Sequence, residues 1–179
     1  MVKTNEIRYL GIYIESAYKF KCNLHHSKIK YFRCLNGILG KVGTACSEYV
    51  VLSLVSSFAT PVLLYCLETG CLNSAGLEKL NYPFRSIYVK LFSTFDASVL
   101  EQCQYYTCQL PLKMLVHLRC LNFFHKLEAD TATPASLLFK WFGRREKNTI
   151  ALLYNITDSD NFNQFYKKIW SSFESKLNL

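Results

Sequence analysis

The chain has 179 residues, half of them hydrophobic, with only four prolines and seven glycines. That balance excludes a disordered chain and a turn-rich β fold, and suits one domain or one domain with a small appendage. A net charge of +8 and a pI near 9.1 favour anionic partners, nucleic acid before acidic membrane.

Residues 7–14 alternate and are rich in β-formers, so they read as a strand. Lys19-Phe20-Lys21 is either a returning strand or a loop. From about Ser27 to Val42 the period becomes helical. Ile29, Phe32, Leu35, Leu39 and Val42 fall on one face, and Lys30, Arg33 and Lys41 on the opposite one. Gly43 is a natural C-terminal stop. Residues 1–43 carry eight basic side chains (Lys3, Arg8, Lys19, Lys21, Lys28, Lys30, Arg33 and Lys41) against Glu6 and Glu15. A basic excess gathered at one end marks a binding face.

A second helix is expected to open at Ser47 as N-cap, with Glu48 in its first turn, and to run to about Leu67. It is apolar nearly all round and uncharged from Tyr49 to Leu67, which fits a buried helix or a membrane span. Ser53, Ser56, Ser57, Thr60 and Pro61, with no interfacial Trp or strongly basic flanks, favour the buried helix. Pro61 should bend it. A third helix spans about Ala75–Phe95, its apolar face made of Leu77, Leu80, Phe84, Ile87, Tyr88, Leu91 and Phe95. Ser98-Val99-Leu100-Glu101 has the capping-box pattern for a fourth helix, which Pro111 ends. A fifth covers about Leu112–Leu127, and the polar turn Ala129–Pro134 is the best domain boundary. Ala135–Phe142 reads as a short helix closed by Gly143. Phe162, Phe165, Tyr166, Ile169, Trp170 and Phe173 give the last helix an aromatic face.

Few residues are arranged for chemistry. Cys22-x-x-His25-His26 lacks the second ligand pair a zinc finger needs. Eight cysteines without a Cys-x-x-Cys pair or a signal peptide read as reduced and intracellular. Asp158-Ser159-Asp160 sits where a helix N-cap is expected. His117 and His125 have no neighbours forming a triad, and a glycine-rich phosphate loop is absent. Gly11-Ile12-Tyr13 matches only the first half of a GIY-YIG nuclease motif.

Five short segments in order carry a stronger signal. Arg8-Tyr9-Leu10-Gly11-Ile12-Tyr13-Ile14 is followed by Tyr18-Lys19-Phe20 and the basic helix start His25-His26-Ser27-Lys28-Ile29-Lys30. Then come Pro61-Val62-Leu63-Leu64-Tyr65-Cys66-Leu67-Glu68 and Leu77-Glu78-Lys79-Leu80 with Arg85. In this order and spacing, residues 5–95 resemble the reverse transcriptases of non-LTR retrotransposons, and the likeness runs more loosely to about 128. Two positions depart from that pattern: Cys66 stands for the usual Gly, and Thr69-Gly70 where a Trp is frequent.

The resemblance implies a fragment of an RNA-directed DNA polymerase that supports primer and template and lacks the catalytic centre. The family's Tyr-x-Asp-Asp strand would lie upstream, and with it the carboxylates that hold Mg2+. No metal or cofactor is therefore expected in this chain. Tyr9, Leu10 and Gly11 would be primer-grip-like. Lys28, Lys30, Arg33 and Lys41 would face the phosphates of an RNA/DNA template-primer duplex. The second partner would be the upstream palm and fingers of the parent polymerase, with no membrane involved. The expected fold is mainly α: a helical thumb-like bundle after a short N-terminal β-strand or hairpin. Residues 1–23 would be the palm end, 24–128 the thumb-like bundle and 129–179 a helical extension. The competing readings are an intracellular helical protein-interaction module and, third, a membrane-associated helical protein.

Overall fold

The computed structural model describes residues 6–18, 21–43, 46–69, 74–130, 133–139 and 143–178. Lys3, Lys19, Phe20, Gly70 and Phe142 of the reading above lie outside them. The fold is mainly α, with a short antiparallel hairpin near its N-terminal end. Two compact units divide between Thr107 and Cys108. The division falls well before residue 128, so the fifth expected helix belongs to the second unit. Among the described residues no helix is long and apolar enough to cross a membrane.

The segment read as one strand is two. Strand β1 (Glu6–Tyr9) pairs with β2 (Ile12–Glu15), with Tyr9 opposite Ile12 and Glu6 opposite Glu15. Leu10 and Gly11 form the turn, with φ of 44° and 85°. Positive φ at both central positions is what a type I′ hairpin turn requires. Gly11 adopts it freely, whereas Leu10 does so against its Cβ. Leu10 is 72% exposed, so no packing compensates. Replacing Leu10 by Asn, which tolerates this conformation, is expected to stabilise the first unit by about 1 kcal/mol. The shift in the urea midpoint followed by circular dichroism measures it. The backbone returns beside β2 through an antiparallel bridge between Ile14 and Cys22.

Helix α1 (His25–Val42) ends at Gly43, as expected, where φ is 63° and the amide bonds to the Leu39 carbonyl. Its buried residues are Tyr31 and Leu35. Ile29 is exposed. Of the predicted face of Ile29, Phe32, Leu35, Leu39 and Val42, Leu35 is fully buried and Phe32, Leu39 and Val42 are half-buried, so the core-facing side is rotated from Ile29 toward Tyr31. Burial, then the Cys34 thiol, raises the phenol pKa of Tyr31, and burial, then Tyr31, raises that of Tyr88.

Ser47 stands at the N-cap position before α2 (Glu48–Leu54), but its hydroxyl makes no capping bond. Next comes one π turn, Val55–Ala59, then α3 (Thr60–Leu63). The Thr60 amide bonds to the Val55 carbonyl, five residues back. The bend expected at Pro61 is therefore taken up as a widened turn before it, where the ring would otherwise clash with the preceding carbonyl.

Helix α4 (Ser74–Phe92) buries Leu80, Pro83, Phe84, Ile87 and Tyr88. It carries Pro83 in its interior, and the Ser86 hydroxyl donates to the Pro83 carbonyl at 2.7 Å. Phe95 lies past the end of this helix and is exposed, so it is no part of the apolar face. Helix α5 (Ala97–Tyr106) is capped by Asp96, whose carboxylate accepts from the Ser98 amide at 2.8 Å; Ser98 itself lies inside the helix.

In the second unit α6 (Leu112–Ala129) is the central helix, burying Leu112, Val116, Leu118, Cys120, Leu121 and Phe124 on several sides. It packs on α7 (Pro134–Leu138), α8 (Arg144–Leu153) and α9 (Phe162–Leu177). Gly143 precedes α8 and closes no helix that the structure describes. Asn161 and Gln164 form a reciprocal capping box that starts α9, so neither Asp158 nor Asp160 is its cap.

His117 on α6 bonds through Nδ1 to the Tyr154 hydroxyl at 2.8 Å. Burial, with help from Lys113, lowers the His117 pKa to about 4, and burial raises that of Tyr154 to about 12. The unfolded chain therefore binds a proton at His117 that the folded chain refuses. Stability is full above pH 6.5 and falls as pH drops toward 4. The second unit is expected to lose about 2 kcal/mol across that window. Urea unfolding followed by tryptophan fluorescence at pH 7 and 4.5 checks this, and His117→Gln should flatten the difference.

Candidate nucleic-acid interface

The hairpin is held at two points. At its base, the Glu6 carboxylate accepts from Asn23 Nδ2 at 2.9 Å and meets His26 Nε2 at 3.4 Å. Tyr13 stacks on the His26 ring, centroids 3.6 Å apart and nearly parallel. Glu6 and Glu15 would repel across the hairpin. Glu6 meets His26, and Glu15 pairs with Lys21, so each has its own cation or hydrogen-bond donor. At the tip, the Tyr65 hydroxyl donates to the Leu10 carbonyl at 3.0 Å. A Cβ on Gly11 would meet the Tyr65 ring at 3.6 Å. Two motifs lying 55 residues apart thus touch: Tyr9-Leu10-Gly11 rests on the Tyr65 of Pro61–Glu68.

Cys66, next to that tyrosine, has φ of 61°. This is a left-handed position that glycine occupies at least cost. The backbone there takes the glycine conformation with a cysteine in place.

The arrangement leaves Tyr9 and Leu10 outward, Tyr9 being 60% exposed. Tyr9 shares a hairpin face with Ile7, Ile12 and Ile14; Arg8, Tyr13, Glu6 and Glu15 share the other. The Arg8 guanidinium sits 6.0 Å from the centre of the Tyr13 ring.

The cationic residues do not all fall together. Lys30, Arg33 and Lys41 are exposed, and at 100° per residue they line one stripe of α1 that begins at His26. None of the three pairs with a carboxylate among the described residues. Lys28 is half-buried and lies round toward the Tyr31–Leu35 side, so it stands apart from them. From Lys30 to Lys41 the stripe runs about 16 Å, close to five base-pair rises. Gly37 and Gly40 interrupt it, and a Cβ on either would meet nothing within 4 Å. The helix surface between the cations is therefore low and open.

Of this site, the sequence reading missed Tyr65 as the support of the hairpin tip and His26 as the support of its base. Tyr65 was within a noted motif, but nothing local says which backbone atom its hydroxyl reaches. Cys22, His25 and His26 do not gather into a metal site. Among the described residues no group of three or more His, Cys, Asp or Glu could hold a metal ion.

Compared with known proteins, the chain matches no family model, no curated sequence and no solved structure.

Proposed function

We propose that this chain is the palm-end hairpin and thumb-like support of a retroelement RNA-directed DNA polymerase, binding template-primer duplex without holding the catalytic centre. The observation that carries the reading is the contact between Leu10-Gly11 and Tyr65. It joins the two most distinctive motifs of the resemblance and fixes an exposed tip on a hairpin whose base meets the start of the cationic helix at His26. Tyr9 and Leu10 would touch the primer backbone, and Lys30, Arg33 and Lys41 the phosphates. Such contacts are insensitive to sequence and sensitive to salt. Behind Tyr9, the apolar side chains Ile7, Ile12 and Ile14 of the hairpin would lie against the palm of the parent polymerase, where Mg2+ would be held.

Fluorescence anisotropy with a labelled RNA–DNA duplex at several salt concentrations tests this. Affinity that falls steeply with salt and is similar for unrelated sequences supports it; affinity indifferent to salt removes it. A second reading, a helical protein-interaction module, draws on the exposed Ile7, Tyr9 and Leu10. It predicts no duplex binding at any salt.

A further inference from the structure

A cleft of about 460 Å³ lies along α4 and the start of α5 in the first unit, lined by Glu78, Asn81, Tyr82, Arg85, Lys90 and Phe95 among others. The stripe argued above uses none of these residues. Its floor is apolar, with Leu100 buried and Val89 half-buried. Its walls hold two aromatic rings that face outward, Tyr82 at 77% and Phe95 at 86% exposure. Phe95 is not on a loose loop. Ser93 turns the chain at φ 50°, the Asp96 amide bonds to Thr94 Oγ1 at 3.3 Å, and the Asp96 carboxylate caps α5. The ring is therefore held in the open by the residues on each side of it. Arg85 and Lys90 form no ion pair among the described residues, and Glu78 is the one acid lining the cleft.

We infer that this cleft binds single-stranded nucleic acid, one or two nucleotides at a time. An apolar peptide would use the rings and leave the two cations idle. A duplex would use the cations and leave the rings idle, because its bases already stack on one another. A single strand uses both: its bases stack on exposed aromatics and its phosphates meet the adjacent cations. Glu78 disfavours phosphate at its own end, so the strand's backbone runs on the side of Arg85 and Lys90, with a base on Tyr82. The Asn81 amide, which makes no hydrogen bond among the described residues, is free to meet a base edge. The inference does not depend on the duplex reading, because the two surfaces share no residue.

The test is anisotropy of the full chain with a labelled twelve-residue oligothymidylate, run beside the labelled duplex. Tyr82→Ala and Phe95→Ala are each expected to weaken single-strand binding about tenfold, and Tyr82→Phe to keep it. Duplex affinity should stay unchanged in all three. Both rings are exposed, so truncation should leave the circular dichroism spectrum intact. Arg85→Gln with Lys90→Gln should lower the salt dependence of single-strand binding. No oligothymidylate binding by the wild type overturns the inference and leaves the cleft to a protein partner. Undiminished binding by the Tyr82→Ala, Phe95→Ala double variant overturns it too, as does equal loss of single-strand and duplex binding.

Discussion

Replacing Lys30, Arg33 and Lys41 together by glutamine should lower duplex affinity about a hundredfold at 0.15 M salt. Each phosphate neutralised releases counterions and adds about 0.9 to the salt slope, so three contacts add nearly 3. That contribution alone makes the wild type lose about fortyfold between 50 and 200 mM salt, and the triple variant should lack it. Glutamine and lysine are similar helix formers, and all three side chains are exposed, so the fold should be untouched. Lys28→Gln is the internal comparison. Lys28 points toward the core side of α1, so its loss should change the slope by much less than one. A triple variant with the wild-type slope would show that the stripe is only a solvated helix face. A Lys28 effect equal to the others would show that the binding face is not the one the helix geometry defines.

The sequence was most legible where one element could be read by itself. The aromatic stripe of α9 places Phe165, Ile169 and Phe173 in the core, and all three are buried there. Gly43 closes α1 and the fifth expected helix opens at Leu112 as α6, although the fourth ends at Tyr106 and not at Pro111. The hairpin was harder, because of its two turn residues only Gly11 signals a turn. A leucine at positive φ carries no local signal, so the run from Ile7 to Ile14 looked continuous. The face of α1 was read rightly at Leu35 and misjudged at one edge, for a tertiary reason. Tyr31 carries a hydroxyl and reads as half-polar, yet it is fully buried, while Ile29 is left exposed. Helix α8 was missed because its opening Arg144-Arg145-Glu146-Lys147-Asn148 looks like a solvated turn. Its meaning lies in partners that no periodicity reveals. Of the candidate interface, the stripe of Lys30, Arg33 and Lys41 was legible from 100° per residue, and Lys28, grouped with them by charge alone, is the one that stands apart.

Those partners of α8 set the second large effect. Lys147 is only 4% exposed, and its ammonium donates to Glu128 at 2.5 Å and to Asp158 at 2.7 Å. The charge at risk is the ammonium, because Asp158 is 92% exposed and can be rehydrated without help. Removing the cation and removing the carboxylates should therefore differ. Lys147→Met should cost about 1 kcal/mol or less, since an apolar side chain of similar length fills the space and the acids return to water. Glu128→Gln with Asp158→Asn leaves a buried ammonium uncompensated and should cost about 3 to 5 kcal/mol. Both tryptophans, Trp141 and Trp170, lie beyond Thr107 in the sequence, so fluorescence-detected urea unfolding reads this unit. The pH dependence gives a further check of opposite sign in the two proteins. In the wild type burial lowers the Lys147 pKa, but the hydrogen bonds to Asp158 and Glu128 outweigh it and raise the pKa. The stability this contributes is complete below pH 10.5 and is lost as pH rises through the raised value. Asp158, its pKa lowered by the Lys147 hydrogen bond, contributes above its ordinary value and loses that as acid approaches the lowered one. In the carboxylate double variant no negative charge opposes burial and only neutral amide oxygens remain to accept, so Lys147 should titrate below its ordinary value, and stability should rise with pH through that range. A double variant that loses stability with rising pH like the wild type would mean that Lys147 reaches water in the folded unit.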